Sequence, residues 1–580
     1  MKTERCDVLV VGGGPAGATL ATVLKKHAPA RRVVILERAP GPRHHVGESL
    51  LPGMVPVLRE MGVFEKIDGA GFPRKLGATY VWGRDRVPWE NDFNDVNMEQ
   101  LIARYGGVPE KLEYAWQVVR SEYDEILLSH AAECGVEVVR GAQADGIVEK
   151  GGRVAGATAR LEDGSGTRWE AEFTADCTGQ AAFLSRYRNV RAFDPRLKNV
   201  SCYAYYRGAP WMFRYNGHPD KTKIFICSRP AGWFWYIPLG KDLVSVGFVT
   251  TVERLKEDGG DLRALFDREL AACEEIAPLL AKAERVRGID GEDRDFFTHS
   301  DWSYLPVDSS GPGWVACGDA AVFVDPILSS GVTLAHLSGH RAAYTILEHW
   351  RRASDAERGL LWADYGAYCR DIAGQYLALA LFWYGNDRNA EQWWIEARRL
   401  QQALLPVDLA DKGAFIAVSA GLTQHYDRLL AARELAVEVA TEPDEVPFFA
   451  MVMKGLDGKD LSAPFDARRP LRLAFPYRVE FSFLPDMGTG RLTAVKRVRF
   501  LRGDPEDAVA GAFNPRKFAT RWHLAWLAAV DGRRNWAEVR AAAAAAGVPA
   551  WWLDGPARVF ARDLTVQGVL ETASAEEARA

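Results

Sequence analysis

Val11-Gly12-Gly13-Gly14-Pro15-Ala16-Gly17 follows directly on Asp7-Val8-Leu9-Val10, a short apolar run rich in β-branched residues that suits a buried parallel strand. A strand that ends in glycines and turns into a helix, expected here from Ala16 to Lys26, makes a dinucleotide cradle. Gly12 permits the tight turn, Gly14 lets the backbone approach a pyrophosphate, and Gly17 lets the helix pack on the strand. The pyrophosphate then rests on the helix N-terminus, beside Pro15 and Ala16. Further on, Val33-Val34-Ile35-Leu36 ends at Glu37, whose carboxylate is placed to accept the ribose hydroxyls of an adenosine half. Arg38 adjoins it and belongs to the same expected contact set. Strand, glycines, helix, second strand and terminal acid together predict an α/β fold with a Rossmann-like domain.

Downstream residues favour FAD over NAD. Trp314-Val315-Ala316-Cys317-Gly318-Asp319-Ala320-Ala321 places a glycine and an acid where a strand gives way to a helix. A carboxylate at Asp319 can hydrogen-bond ribityl hydroxyls, which NAD lacks. Asp325-Pro326 and Ser329-Ser330-Gly331 open a further helix, whose first N–H groups would face the flavin ring and an anion beside it. Arg120 begins another helical segment and is a candidate partner for flavin phosphate or ribityl oxygen. Taken singly, an arginine there would be a solvated one.

A second informative segment is Gly232-Trp233-Phe234-Trp235-Tyr236-Ile237-Pro238. Two indoles two residues apart on a strand face the same side. With 19 tryptophans in the chain, such a pair could simply fill a core. The combination of the glycine cradle, Gly47-Glu48-Ser49, the Gly318-Asp319 pair and this tryptophan segment resembles the flavin-dependent halogenases, relatives of the single-component aromatic hydroxylases. Val46-Gly47-Glu48-Ser49-Leu50-Leu51-Pro52 resembles the branch acting on phenolic, pyrrolic or acyl substrates, often held on a carrier protein. The likeness runs over roughly the first two-thirds of the chain. It continues more weakly through Phe382-Trp383-Tyr384 and Trp393-Trp394, as in branch members with an extra C-terminal domain.

The resemblance implies FAD used as FADH2 and supplied by a separate flavin reductase, with O2 and chloride or bromide as co-reactants. Flavin hydroperoxide would oxidise the halide to hypohalous acid. Its cofactor residues fall here on Gly12, Gly14, Pro15, Ala16, Gly17, Glu37, Arg38, Ser49, Arg120, Gly318, Asp319, Asp325 and Pro326. The halide would lie on the backbone N–H groups of Ser330 and Gly331, where the helix dipole favours an anion. Trp233 and Trp235 would wall the flavin from the organic acceptor. Lys75, in Pro73-Arg74-Lys75-Leu76-Gly77, would hydrogen-bond hypohalous acid or form a chloramine, and burial would lower its pKa toward the working range. Arg74 is its rival by position. One departure is Leu328, where tryptophan-type members carry a glutamate three residues after the aspartate of the Asp-Pro pair; its absence argues for a more reactive ring than indole.

Composition is compatible. The 580 residues, 48% of them apolar and with a net charge of −5, suit a globular enzyme of more than one domain. No basic footprint for nucleic acid is present. Eight cysteines without CxxC spacing indicate neither zinc nor a disulfide framework. The opening strand and the lack of a long apolar run make cytoplasm the expected location, with no membrane partner. Expected organisation is a core over 1–380, with a mixed β substrate sheet inserted at about 184–286. A mainly helical extension with a short β region would follow over 381–580, after a linker around Thr441 to Pro470. The C-terminal part could be a lid, a docking surface for an acyl or peptidyl carrier protein, or a stabilising appendage. Two other functions fit the same cradle: an NAD(P)H-dependent aromatic hydroxylase, and a non-catalytic flavin-binding assembly protein.

Overall fold

A computed structural model of the chain describes residues 1–83, 86–95, 112–188, 190–211, 221–240, 242–287, 289–385, 391–395, 397, 411–423, 465–501 and 516–573. Of the linker expected around Thr441 to Pro470, residues 441–464 lie outside the described residues.

The opening strand, Lys2–Val11, lies inside a sheet and pairs in parallel with Val33–Glu37 on one side and Gly166–Asp176 on the other. Val8 to Val11 are buried, which is why that stretch reads as an unbroken apolar run. The parallel order extends to Trp314–Ala316 at one edge and Glu137–Arg140 at the other, with an antiparallel hairpin, Gln143–Lys150 and Arg153–Arg160, joined to Gly166–Asp176. The cradle helix spans Pro15–His27, starting one residue earlier than the apolar pattern suggested because Pro15 is preorganised for the first turn. It packs on the helix Gly331–Arg351. A Cβ on Gly339 would stand 2.4 Å from the Ala16 carbonyl oxygen, so only glycine permits that approach.

The second sheet has nine strands. Gly232–Gly240 lies near its centre, antiparallel to Lys221–Arg229 and to Leu243–Thr251. The interval expected to hold this sheet, 184–286, supplies five of its strands; Arg74–Val81, Trp89–Asp92 and Ala115–Trp116 come from before it and Phe297–Pro306 from after it. Arg74–Val81 joins by parallel pairing with Lys221–Arg229, a long-range register that no local pattern reveals.

The change of core also falls elsewhere than residue 381. Helix Asp355–Trp383 runs unbroken through that point, and Trp383, Trp393 and Phe415 pack into the main core. A separate core forms from Leu471 to Leu570, around Trp522, Trp526 and Trp552. The C-terminal region contains a three-stranded sheet, Tyr477–Asp486, Arg491–Phe500 and Lys517–Phe518, and helices including Arg521–Ala529 and Trp536–Ala545. Among the described residues, no helix is long and apolar enough to cross a membrane.

Candidate active site

A cleft of about 250 Å3 runs from the glycine cradle to the tryptophan strand. Its first end is made by Gly12, Gly14, Pro15, Ala16, Glu37 and Arg38. Gly12 has φ +103°, and a Cβ there would stand 2.4 Å from the Cys177 carbonyl oxygen. A Cβ on Gly17 would stand 2.0 Å from the Gly12 carbonyl oxygen, whereas Gly14 opens on free space. That is the distribution a bound pyrophosphate needs: two glycines demanded by the protein backbone and one left clear for the ligand. Glu37 accepts the Gly13 N–H at 2.7 Å and the Ala39 N–H at 2.9 Å, so its carboxylate also fixes the cradle loop. Arg38 is exposed at the rim.

Midway along the cleft, Arg120 is buried, not solvated. Its guanidinium donates to the carbonyls of Val46 at 2.6 Å and Gly47 at 3.3 Å, and pairs with Asp124 at 2.9 Å. Gly47 has φ +102°, and a Cβ there would lie 2.7 Å from the Arg120 guanidinium. The loop carrying Glu48 and Ser49 is thereby drawn down onto the cleft. Ser49 Oγ is buried with no hydrogen-bond partner among the described residues. Gly318 and Asp319 line the opposite side; the Gly318 N–H is taken by Ser338 Oγ at 2.8 Å. The open face of Gly14, the orphaned Ser49 hydroxyl and the cleft's run from the cradle past Asp319 to the tryptophans fit FAD. Gly12, Gly14, Glu37, Ser49 and Asp319 would hold it.

At the far end, Trp233 and Trp235 present both indoles to the cleft, with ring centroids 6.0 Å apart. Their N–H groups are satisfied: Trp233 Nε1 donates to Tyr384 Oη at 3.1 Å and Trp235 Nε1 to Ser245 Oγ at 3.2 Å. Tyr384 in turn donates to Asp325 Oδ1 at 2.8 Å, and Asn199 donates to Asp325 Oδ2 at 2.8 Å. Asp325 also caps Pro326–Leu328 through the Ile327 N–H at 3.0 Å. Both of its oxygens are therefore engaged in holding the tryptophan strand to the flavin domain. Ser330 and Gly331 line the cleft at the start of the 21-residue helix Gly331–Arg351. The preceding Ser329 adopts φ +55°, which turns the chain into that helix start.

Lys75 lies two strands from the tryptophans, across Lys221–Arg229, and is only 2% exposed, with burial pulling its amine down to about 7. It lines a small chamber of about 10 Å3 together with Tyr80, Asn91, Leu328 and Ser419, room for about one water-sized molecule. The chamber and the cleft share Ile224, Ile226 and Ser329. Arg74 points elsewhere, pairing with Asp68 at 2.6 Å.

Tyr384, Asn199, Ser245 and Ser419 are site residues that sequence reasoning missed, as is Tyr205, whose hydroxyl donates to Glu48 Oε1 at 2.6 Å. Tyr384 stood within the noted Phe382-Trp383-Tyr384 stretch; the others carry no local signal. Cys227, Cys273 and Glu275 also gather in one place. There the Arg86 guanidinium donates to Glu275 Oε1 at 2.7 Å and to Cys227 Sγ at 3.7 Å, a cation already sitting among the would-be ligands.

Residues 7–106 and 99–436 match the family described as Tryptophan halogenase. The chain is 33% identical over 346 residues to a tryptophan 2-halogenase of Chondromyces crocatus, the match spanning 58% of this chain and 60% of that protein. It is 32% identical over 359 residues to a 1H-pyrrole-2-carbonyl-[peptidyl-carrier protein] chlorinase of Pseudomonas fluorescens, over 60% of this chain and 77% of the relative. Among solved structures, the flavin-dependent halogenase CmlS matches 99% of this chain and 97% of its own with a TM-score of 0.65 at 23% identity, a likeness of fold that includes the C-terminal region. With the family matched across most of its length, and a cleft that runs from the glycine cradle to two indoles, the chain belongs to the tryptophan halogenase family of flavin-dependent halogenases.

Proposed function

We propose that this chain halogenates an electron-rich phenolic, pyrrolic or acyl substrate, held on an acyl or peptidyl carrier protein, in the biosynthesis of a secondary metabolite. The single observation that carries the reading is the placement of Lys75: a buried amine in a water-sized chamber that meets the flavin cleft across Ile224, Ile226 and Ser329, beside the tryptophan strand. Reduced FAD, delivered in the cytoplasm by a separate reductase, supplies with dioxygen the oxidising equivalent that turns chloride or bromide into hypohalous acid.

The rest is the work of the chain's own groups. Ser330 and Gly331 hold the halide with backbone N–H groups at a helix start. Trp233 and Trp235, locked by Tyr384 and Ser245, keep the organic acceptor out of the cleft, so only a species small enough for the chamber passes. Lys75, with its amine near pKa 7, exists at neutral pH as both ammonium and amine. The ammonium donates to the oxygen of hypohalous acid, which makes the halogen more electrophilic. Leu328 lies in the chamber where a carboxylate would assist a less reactive ring. Together with the relative that acts on a pyrrole held by a peptidyl carrier protein, this supports a phenol or pyrrole.

The test is incubation with a flavin reductase, NADH, oxygen and chloride or bromide, followed by mass spectrometry of free and carrier-bound phenolic and pyrrolic acyl groups. A halogen isotope pattern is expected on the tethered substrate. Hydroxylated product formed with NAD(P)H alone would assign the chain to the aromatic hydroxylases instead. Lys75→Ala is expected to keep flavin oxidation and to lose about 100-fold or more in halogenation.

A further inference from the structure

Glu48 is a buried acid in the flavin cleft to which the halogenation chemistry gives no task. It is 3% exposed and sits on the loop drawn down by Arg120. Tyr205 Oη donates to Glu48 Oε1 at 2.6 Å, while Oε2 has no hydrogen-bond partner among the described residues. That asymmetry fits a neutral carboxylic acid, whose carbonyl oxygen accepts and whose hydroxyl waits for an acceptor. An ionised group would leave a bare anionic oxygen in the interior, which is far more costly. Ser245, which receives the Trp235 indole N–H at 3.2 Å, faces the same carboxyl. The adenosine end of the cleft is fixed by Glu37, so Glu48, next to the indole wall, stands at the isoalloxazine end.

We propose that Glu48 is a positioning residue that carries its proton on Oε2 and donates it in a hydrogen bond to an acceptor atom of the bound isoalloxazine, seating the ring against Trp235. This rests on the flavin half of the function proposed above and is independent of halide oxidation. Other charged or titratable groups surround it. His44 and His45 lie on its own loop; Arg120 and Asp124 come from the helix Arg120–Glu133; Tyr203 and Tyr205 come from the strand Arg191–Arg207; His299 comes from the strand Phe297–Pro306. Burial raises the Glu48 pKa, and Tyr205, Ser245, His44 and Arg120 oppose that without reversing it. The seat should therefore hold where Oε2 keeps its proton and fail at higher pH, as the acid ionises.

Two measurements test this. Infrared difference spectra of the flavin-free protein at neutral pH, wild type minus Glu48→Gln, should contain a carboxylic acid C=O band and no matching carboxylate band. Fluorescence titration of FAD across the alkaline range should show wild-type affinity weakening by about tenfold, the worth of one hydrogen bond. Glu48→Gln, a neutral donor of the same shape, should bind FAD with a flat pH profile near the wild-type neutral value. Glu48→Ala should be flat and weak. A carboxylate band at neutral pH, or a Glu48→Gln profile that keeps the wild-type alkaline loss, overturns the proposal; near-ultraviolet circular dichroism verifies that each variant is folded. Absence of halogenated product from wild type would sink the proposed function and leave both readouts unaffected.

Discussion

At the scale of single residues, Lys75 ties function to stability. The native amine gives up its proton near pH 7, whereas the unfolded chain keeps it to about pH 10.5. Between these values the unfolded state binds more protons, so native stability rises with pH across that window and falls as pH drops toward 7. A lysine held this way costs the fold something, as expected where a perturbed group serves chemistry. Lys75→Met fills the site without the charge. It is expected to be more stable than wild type at pH 7 by about 1–4 kcal/mol, the difference shrinking toward zero near pH 10. Urea titrations at the two pH values measure this, and equal stability differences at both would show that the amine carries no buried charge. Lys75 was legible in the sequence only through family resemblance. Its burial was expected only as part of that resemblance; the residues that cause it were not legible, because the chamber is closed by Asn91, Leu328 and Ser419 from distant parts of the chain.

At the scale of elements, the tryptophan strand shows what sequence can and cannot carry. Alternation along Gly232–Gly240 told correctly that Trp233 and Trp235 share a face, and the cradle's three glycines were readable because each answers to its own local backbone. What fixes the indoles was not readable: Tyr384 is 151 residues from Trp233, and Tyr205 is 157 residues from Glu48. One neighbour exposes the mechanics of the wall. Gly247 pairs directly with Trp235 across the sheet, and a Cβ there would stand 2.1 Å from the indole ring. Gly247→Ala must therefore push the indole from its seat, since the ring and the opposing backbone cannot both stay in place. The expected result is about 1–3 kcal/mol of destabilisation, of the size overpacking causes. It should come with FAD still bound and fewer halogenated products per flavin oxidised. Thermal melting and the ratio of product to NADH consumed in the coupled assay measure the two effects. An unchanged ratio would mean that the Trp235 position has no part in keeping oxidant and acceptor apart.

At the scale of the whole molecule, the C-terminal region is bound to the flavin domain by charge as well as by packing. Asp364, on helix Asp355–Trp383, is 3% exposed and lies between Arg341 of the helix Gly331–Arg351 and Arg516, which is paired to it at 2.6 Å. Arg516 also reaches Asp371 at 2.7 Å, and Arg499 of the three-stranded sheet links Asp371 at 3.0 Å to Glu480 at 3.1 Å. Burial pushes the Asp364 carboxyl up, but the Arg341 and Arg516 charges outweigh it and hold the group below its ordinary value of 3.8. A carboxyl held low in the fold stabilises it above the unfolded pKa and loses that contribution as pH falls through the folded pKa. Nothing in the sequence announced this, because an arginine at 516 and an aspartate at 364 look like two surface charges until the fold buries them together.

The consequence is an asymmetry that two variants expose. Arg516→Ala leaves Asp364 with Arg341 and the Phe483 N–H, and Asp371 with Arg499, so a partly compensated charge remains buried. The expected loss is about 3–5 kcal/mol, the cost of breaking a buried pair from one side. Its first sign should be faster proteolysis of the region around Tyr477–Phe500 at temperatures where the flavin domain still holds FAD. Replacing Arg341, Asp364 and Arg516 together, by Met, Asn and Met, removes the whole buried cluster and is expected to recover much of that loss, because the desolvation cost disappears with the attraction. Calorimetry and limited proteolysis on the FAD-loaded protein read both outcomes. If the triple variant is no more stable than Arg516→Ala, the cluster is acting through side-chain packing, and the charge pairing is not what joins the C-terminal sheet to the helices beneath it.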